Sequence, residues 1–198
     1  MSELLERDTL VVSQKAKLVE LTNEYRILDE QGTELGAIRQ EGQSAARKAF
    51  RLVSSLDQFL THKLAVYDRT GAKVLELVRP RKLMKSRVEV TDGMGQPAGR
   101  IVQQNLIGKI RFAFEGPSGE QLGSINAENW RAWDFSIQDP MGQEVARVTK
   151  KWRGILREGF TTADSYVVNV SAPVSAELRM MVLAAAAAID TTLKQDDS

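Results

Sequence analysis

Five copies of one short turn signal cut this chain into pieces that only strands fit. They read Asp29-Glu-Gln-Gly32, Asp68-Arg-Thr-Gly71, Asp92-Gly-Met-Gly95, Gly116-Pro-Ser-Gly119 and Asp139-Pro-Met-Gly142. Asp in first place and Gly in fourth suit a type I turn followed by a left-handed residue, a common hairpin connection. Pro117 and Pro140 stand in second place, where a φ of about −65° is wanted. The fourth-place glycines recur at intervals of 39, 24, 24 and 23 residues. The spacing predicts a string of β-hairpins.

The flanking runs support it, since many alternate apolar and polar residues as half-buried strands do. Tyr25–Asp29 and Leu35–Arg39 flank the first turn, and Lys63–Asp68 and Val74–Val78 the second. Val88–Asp92 with Gly99–Gln103, Ile110–Glu115 with Leu122–Asn126, and Trp133–Asp139 with Val145–Lys150 flank the other three. Thr9–Ser13 adds a strand at the start and Ser165–Val170 one near the end. About twelve antiparallel strands exceed what an open sheet holds comfortably, and closure removes its exposed edges. The expectation is a mainly β fold, a closed antiparallel barrel of about twelve strands forming one domain over residues 1–198. The pattern assigns no structure to residues 42–61.

The last thirty residues change character. After Pro173, the stretch from Val174 to Lys194 has no Gly or Pro and carries five consecutive alanines, Ala184 to Ala188. Alanine is the strongest helix former, and Ser175 and Glu177 offer a cap and an acid in the first turn. Met180 to Ile189 is apolar on every side, as in a helix that is buried or in a membrane. As helix, that run covers about 15 Å, whereas a bilayer core takes roughly 20 residues. A buried apolar helix at about 174–194, threaded through the barrel, follows, and no transmembrane span. Small side chains suit such confinement.

Composition narrows function mainly by exclusion. There is no cysteine, so disulfides, thiolate metal sites and cysteine nucleophiles are out. Twenty-seven basic and 26 acidic residues balance to +1, which gives no global pull towards nucleic acid. MSELLERDTL is acidic without an apolar core and reads as no secretory signal; the sequon Asn169-Val-Ser171 then reads as chance, and the expected location is cytoplasmic. His62, the single histidine, has no serine–aspartate companion and makes a poor metal site alone. No P-loop, dinucleotide fingerprint, nucleophile elbow or zinc spacing occurs. The reading is of a non-enzyme with no catalytic residue, cofactor or metal.

A twelve-stranded barrel around a C-terminal apolar helix resembles the tubby C-terminal-like superfamily, and within it the phospholipid scramblase and LURP-one-related branch. Leu10-Val-Val-Ser-Gln14 with Asn23-Glu-Tyr25 resembles that family's opening strands. Val74-Leu-Glu-Leu-Val-Arg-Pro80 resembles its arm ending in Arg-Pro, and Lys150-Lys-Trp-Arg-Gly154 its lysine–tryptophan–glycine strand ending. Ala163-Asp-Ser-Tyr166, Pro173 and the helix ending Ile189-Asp190 follow in the scramblase order. One departure is chemical. The family's proposed calcium segment opens with acids in first and third place, where this chain has Thr162 and Asp164, with no carboxylate in Ser165 to Val170. Calcium takes six to eight oxygen ligands, several of them charged. The resemblance therefore implies the fold without calcium-triggered activity.

Candidate contacts follow from the basic runs. Arg79-Pro-Arg-Lys-Leu-Met-Lys-Ser-Arg87 holds Arg79, Arg81, Lys82, Lys85 and Arg87 without an acid. It reads either as a patch for anionic lipid or phosphoinositide, a ligand the resemblance to tubby domains implies, or as a solvated link between hairpins. Lys150, Lys151, Arg153 and Arg157 around Trp152 form a second basic group, able to anchor at a membrane interface or to remain a solvated strand edge. Trp130 and Trp133 read as wall or rim residues, whereas the segment Gly42 to Arg51, with Arg47, Lys48 and Arg51 about Phe50, is too short to assign. Asp164 reads as tying down a turn; Asp190 is solvated or paired with a barrel arginine. Two functions stay open: peripheral association with anionic phospholipid membranes from the cytoplasmic side, or a soluble module of LURP-one type that binds a protein or small ligand.

Overall fold

In the computed structural model, the described residues are 2–14, 24–41, 62–80, 87–105, 111–129, 134–150 and 165–189. They form twelve strands: β1 (Thr9–Gln14), β2 (Glu24–Leu28), β3 (Glu34–Glu41), β4 (His62–Asp68), β5 (Lys73–Arg79) and β6 (Arg87–Asp92), then β7 (Pro97–Gln103), β8 (Arg111–Glu115), β9 (Gln121–Asn129), β10 (Asp134–Gln138), β11 (Glu144–Thr149) and β12 (Ser165–Val170). A short 3-10 turn at Glu3–Leu5 precedes them, and one helix, α1 (Ala176–Ala188), follows. Every strand pairs antiparallel with its sequence neighbour, and β1 also pairs with β12, so the sheet closes into a barrel.

The five signals form five hairpin turns of one design. Gly32, Gly71, Gly95, Gly119 and Gly142 have φ between 81° and 86°, the left-handed conformation that glycine adopts without penalty. The register shifts by one residue beside each turn, as between Ile27 and Leu28 or Val90 and Thr91, which marks the bulge belonging to this connection. Asp92 shows why aspartate comes first: its Oδ1 accepts from the backbone N–H of Met94 at 2.9 Å and of Gln96 at 2.8 Å. Asp29, Asp68 and Asp139 repeat this pattern. At the fourth turn, which begins with Gly116, the Glu120 carboxylate comes within 2.0 Å of where a Cβ would lie. There the side chain of Glu120, four residues on, occupies the space beside the turn's first residue.

α1 fills the barrel. Met181 to Ile189 are all buried and join one core cluster with inward residues of the wall such as Val12, Leu77, Ile101, Phe114 and Val168. A closed wall leaves little radial room, and alanine admits the helix where larger side chains would clash with close-packed neighbours. Two wall glycines report the fit. A Cβ on Gly99 would lie 3.1 Å from Met181 Sδ, and one on Gly123 3.1 Å from Leu178 Cδ1.

Polar contacts fix the helix at both ends. Ser175 Oγ accepts from Leu178 N–H at 3.2 Å, satisfying one of the orphan donors at a helix start. The Arg179 guanidinium donates to the Arg7 carbonyl and the Asp8 carboxylate, both at 3.0 Å, tying that start to the entry of β1. Towards the other end, the buried Tyr166 hydroxyl donates to the Ala186 carbonyl at 2.5 Å. The helix expected at about 174–194 is described over Ala176–Ala188; residues from 190 onward, Asp190 included, lie outside the described residues.

A second apolar group sits on the outer face. Val11 pairs with Leu28 on one side and Val167 on the other, all three buried, in alternation with the inward Leu10 and Val12.

Candidate functional site

The topology sorts the chain's connections between two ends of the barrel. The five hairpin turns, the 3-10 turn and the start of α1 lie at one end. The stretches 15–23, 42–61, 81–86, 106–110, 130–133 and 151–164 join strands at the other, towards which α1 runs. Charge divides the same way. The five turns, counted from first residue to fifth, hold six acidic residues and one basic one. The six stretches joining strands at the far end hold thirteen basic residues and four acidic ones, together with all three tryptophans, Trp130, Trp133 and Trp152.

Both sequence-identified basic groups fall at that far end, on opposite sides of it. The β5–β6 and β11–β12 connections are separated by six strands whichever way the wall is followed. Individual residues fare differently. Arg79 is the last residue of β5, not part of a loop. It follows the inward parity of Leu75 and Leu77 and is only 7% exposed. A cation there faces the end of the barrel where α1 finishes, the negative end of the helix dipole. Arg87 opens β6, is exposed, and pairs with Glu89 at 2.7 Å. Lys150, just after β11, is partly exposed. Arg81, Lys82, Lys85, Lys151, Arg153 and Arg157 lie outside the described residues, as do Trp130, Trp133, Trp152, Thr162, Asp164 and residues 42–61. The backbone of His62 opens β4 opposite Arg79.

Between the ends, Lys63, Lys73, Arg100 and Arg147 on the wall pair with carboxylates, an arrangement that the sequence reading missed. Across β3, β4 and β5, Lys63 Nζ lies 2.9 Å from Glu76, and Lys73 Nζ lies 2.7 Å from Glu76 and 3.3 Å from Glu41. The Tyr67 hydroxyl donates to Glu41, and the Arg39 guanidinium stands 5.3 Å from the Tyr67 ring centre. The Tyr67 hydrogen bond, with the nearby lysines, holds Glu41 below the usual carboxylate range, and Lys73 with Lys63 does the same for Glu76. The Glu41 carboxylate in turn raises Tyr67. On β10 and β11, Arg147 reaches Asp134 and Glu144, each at 2.6 Å, and Ser136 Oγ donates to Glu144 at 2.7 Å. Arg100 pairs with Glu115 across β7 and β8 at 2.5 Å.

These ladders are structural in their chemistry. Glu41, Glu76 and Glu144 are held below the usual carboxylate range by their hydrogen-bond donors and neighbouring cations, the opposite of a general acid poised near neutrality. Among the described residues, no group of three His, Asp or Glu side chains could hold a metal ion, and no helix is long and apolar enough to cross a membrane.

A barrel closed around a buried C-terminal helix is the architecture of the tubby C-terminal-like superfamily, to which the scramblases belong. The profile of the Scramblase family matches residues 1–194, and the chain belongs to that family. It is 28% identical over 185 residues to a phospholipid scramblase family protein of Schizosaccharomyces pombe, a match covering 84% of this chain and 47% of that protein. It is 23% identical over 197 residues to "Altered inheritance rate of mitochondria protein 25" of Saccharomyces cerevisiae, covering 84% and 59%. Human phospholipid scramblase 1 is 24% identical over 140 residues, covering 64% and 44%. The chain thus spans about half the length of the curated relatives it matches. No solved structure matches it significantly.

Proposed function

We propose that this chain is a non-enzymatic, phospholipid-associated domain that meets anionic membrane surfaces peripherally, from the cytoplasmic side. Scramblase family membership supports a phospholipid-related role. The observation that carries the reading is one of connectivity: the stretches of sequence rich in basic residues, with the three tryptophans, link strands that the topology joins at the same end of the barrel. Basic residues close to an anionic leaflet contribute about 1 kcal/mol each, and tryptophan favours the headgroup level. Arg81, Lys82, Lys85, Arg87, Lys150, Lys151 and Arg153 make the headgroup contacts on this reading. Arg79, the buried last residue of β5, stands outside that contact set.

Lipid transport through the barrel is not part of the proposal. The inward faces of the strands pack on α1, and the core cluster they form is apolar, so the described interior offers no polar path for a headgroup.

Co-sedimentation with phosphatidylcholine vesicles, with and without phosphatidylserine, tests the reading. Binding that needs phosphatidylserine and weakens with salt supports it. Indifference to lipid even at low salt overturns it in favour of a module of LURP-one type that binds protein or small ligands.

A further inference from the structure

We propose that Met94 and Met141 are a pair of reversible oxidation sites, at which a hydroperoxide converts each thioether to a sulfoxide without disturbing the barrel. Both stand at the turn end, apart from the proposed lipid contacts. Each occupies third place in its hairpin turn, where the other three turns carry the polar Gln31, Thr70 and Ser118. They are the large hydrophobic side chains that stand exposed among the described residues, at 86% and 93%. The chain has six methionines and no cysteine, so thioethers are the only sulfur a peroxide can meet. The four methionines among the described residues divide by access. Met181 is fully buried in the core cluster, its sulfur against Gly99 of the wall. Met180 is partly buried and packs on the same cluster. Met94 and Met141 stand in the open.

The step is an oxygen transfer. The thioether sulfur attacks the distal oxygen of the hydroperoxide, and an S–O bond forms as the O–O bond breaks. Sulfur gives up an electron pair, and the remainder of the reagent leaves as an alcohol, its new O–H carrying the proton of the distal hydroxyl. Reduction needs thiols from outside, because this chain has none; the oxygen departs as water and the thiols end as a disulfide. The turns tolerate this chemistry because the backbone holds them. Met94 N–H donates to Asp92 Oδ1 and Met141 N–H to Asp139 Oδ1, both at 2.9 Å, with the left-handed Gly95 and Gly142 next in the chain. A sulfoxide on either side chain touches none of these bonds, whereas on Met181 it would put a polar oxygen into an apolar core. Attack on Met181 also waits for the barrel to open, a state populated on the order of a thousandth or less of the time in a stable domain. Oxidation thus turns the two exposed apolar tips polar, and their exposure leaves them open to a methionine sulfoxide reductase that restores them.

Treating the full chain with tert-butyl hydroperoxide for increasing times, with peptide mapping by mass spectrometry, reads the sulfoxide at each methionine. Met94 and Met141 should oxidise at least about tenfold faster than Met180 or Met181. Protein oxidised at both turn positions should keep the urea midpoint of the parent chain. The two epimer-specific methionine sulfoxide reductases, supplied with dithiothreitol, should then return both residues to the thioether. Rates at Met180 or Met181 that match those at the turns overturn the proposal. So does a midpoint that falls as Met94 and Met141 oxidise, or sulfoxides there that resist both reductases.

Discussion

Replacing Tyr166 by phenylalanine isolates the bond that holds the exit end of the central helix. Tyr166 lies on β12 opposite Val12 of β1, is 2% exposed, and donates its hydroxyl to the Ala186 carbonyl at 2.5 Å. Phenylalanine keeps the ring and its packing, so the change removes one hydroxyl and leaves a buried carbonyl short of a donor. A hydrogen bond of this kind contributes about 1 kcal/mol net, and an acceptor left unsatisfied in the interior costs about 1–3 kcal/mol. The expected loss is about 1.5–3 kcal/mol, with no change in the surface exposed on unfolding. Urea unfolding followed by tryptophan fluorescence measures it: the midpoint falls while the slope stays constant. For a chain of this size, Tm drops by about 2–4 °C for each kcal/mol lost. A loss below about 0.5 kcal/mol would refute the claim that this bond anchors the helix. A changed slope would place the effect in the unfolded state or in a loosened native one.

Other substitutions test the barrel from different sides. Gly99→Ala forces a Cβ onto a residue at φ 146°, 2.4 Å from the Glu115 carbonyl oxygen and 3.1 Å from Met181 Sδ. It should destabilise by more than about 2 kcal/mol, and a neutral result in thermal unfolding would mean that wall and helix are not in close contact. Glu41 and Glu76 are held below their ordinary value of 4.5. Their contribution is therefore present above about pH 4.5 and lost as pH falls through the lowered values. Glu41→Gln should flatten that acid limb in a pH series of unfolding midpoints, and an unchanged limb would remove the ladder from the account. Tyr67, raised above 10.0 by Glu41, contributes below that pH and loses its part as pH climbs through the raised value. Asp92→Ala, which deletes two acceptor contacts at an exposed turn, should cost about 1 kcal/mol and leave lipid binding unchanged.

Much of this fold was legible because its rules are local. A turn needing Asp first and Gly fourth announces itself in four residues, and the count of five, with two flanking strands, already demanded closure. The same logic covered Gly116, although the Glu120 carboxylate beside it became visible only in three dimensions. The alanine run told of a confined helix because nothing else explains a segment apolar all round yet too short for a bilayer. Arg79 was harder. Its place in an acid-free basic stretch reads as loop, while the strand period of Leu75 and Leu77 puts it inside, and there it is buried. The ladder of Lys63, Lys73, Glu41 and Glu76 depends on register across three strands, of which the bulge beside the second turn sets only the β4–β5 pairing. Val11, Leu28 and Val167 broke the alternation, and their outer-face burial had no local cue beyond the unbroken run Leu10-Val-Val. That the basic stretches of the sequence link strands at a common end emerged only with the topology.

The central claim is that cations at the far end of the barrel bind an anionic surface. Partitioning onto phosphatidylserine vesicles, compared between the parent chain and a variant carrying Arg81→Glu, Lys82→Glu and Lys85→Glu, tests it most directly. At about 1 kcal/mol per basic residue near the surface, losing the three positive charges alone weakens partitioning by about 3 kcal/mol, on the order of a hundredfold. Reversing them weakens it further. Arg69→Glu, a control on the acidic turn end whose guanidinium pairs with Glu3, should leave partitioning unchanged. Equal partitioning of the parent chain and the triple variant, or a loss as large in the Arg69 control, would contradict the account.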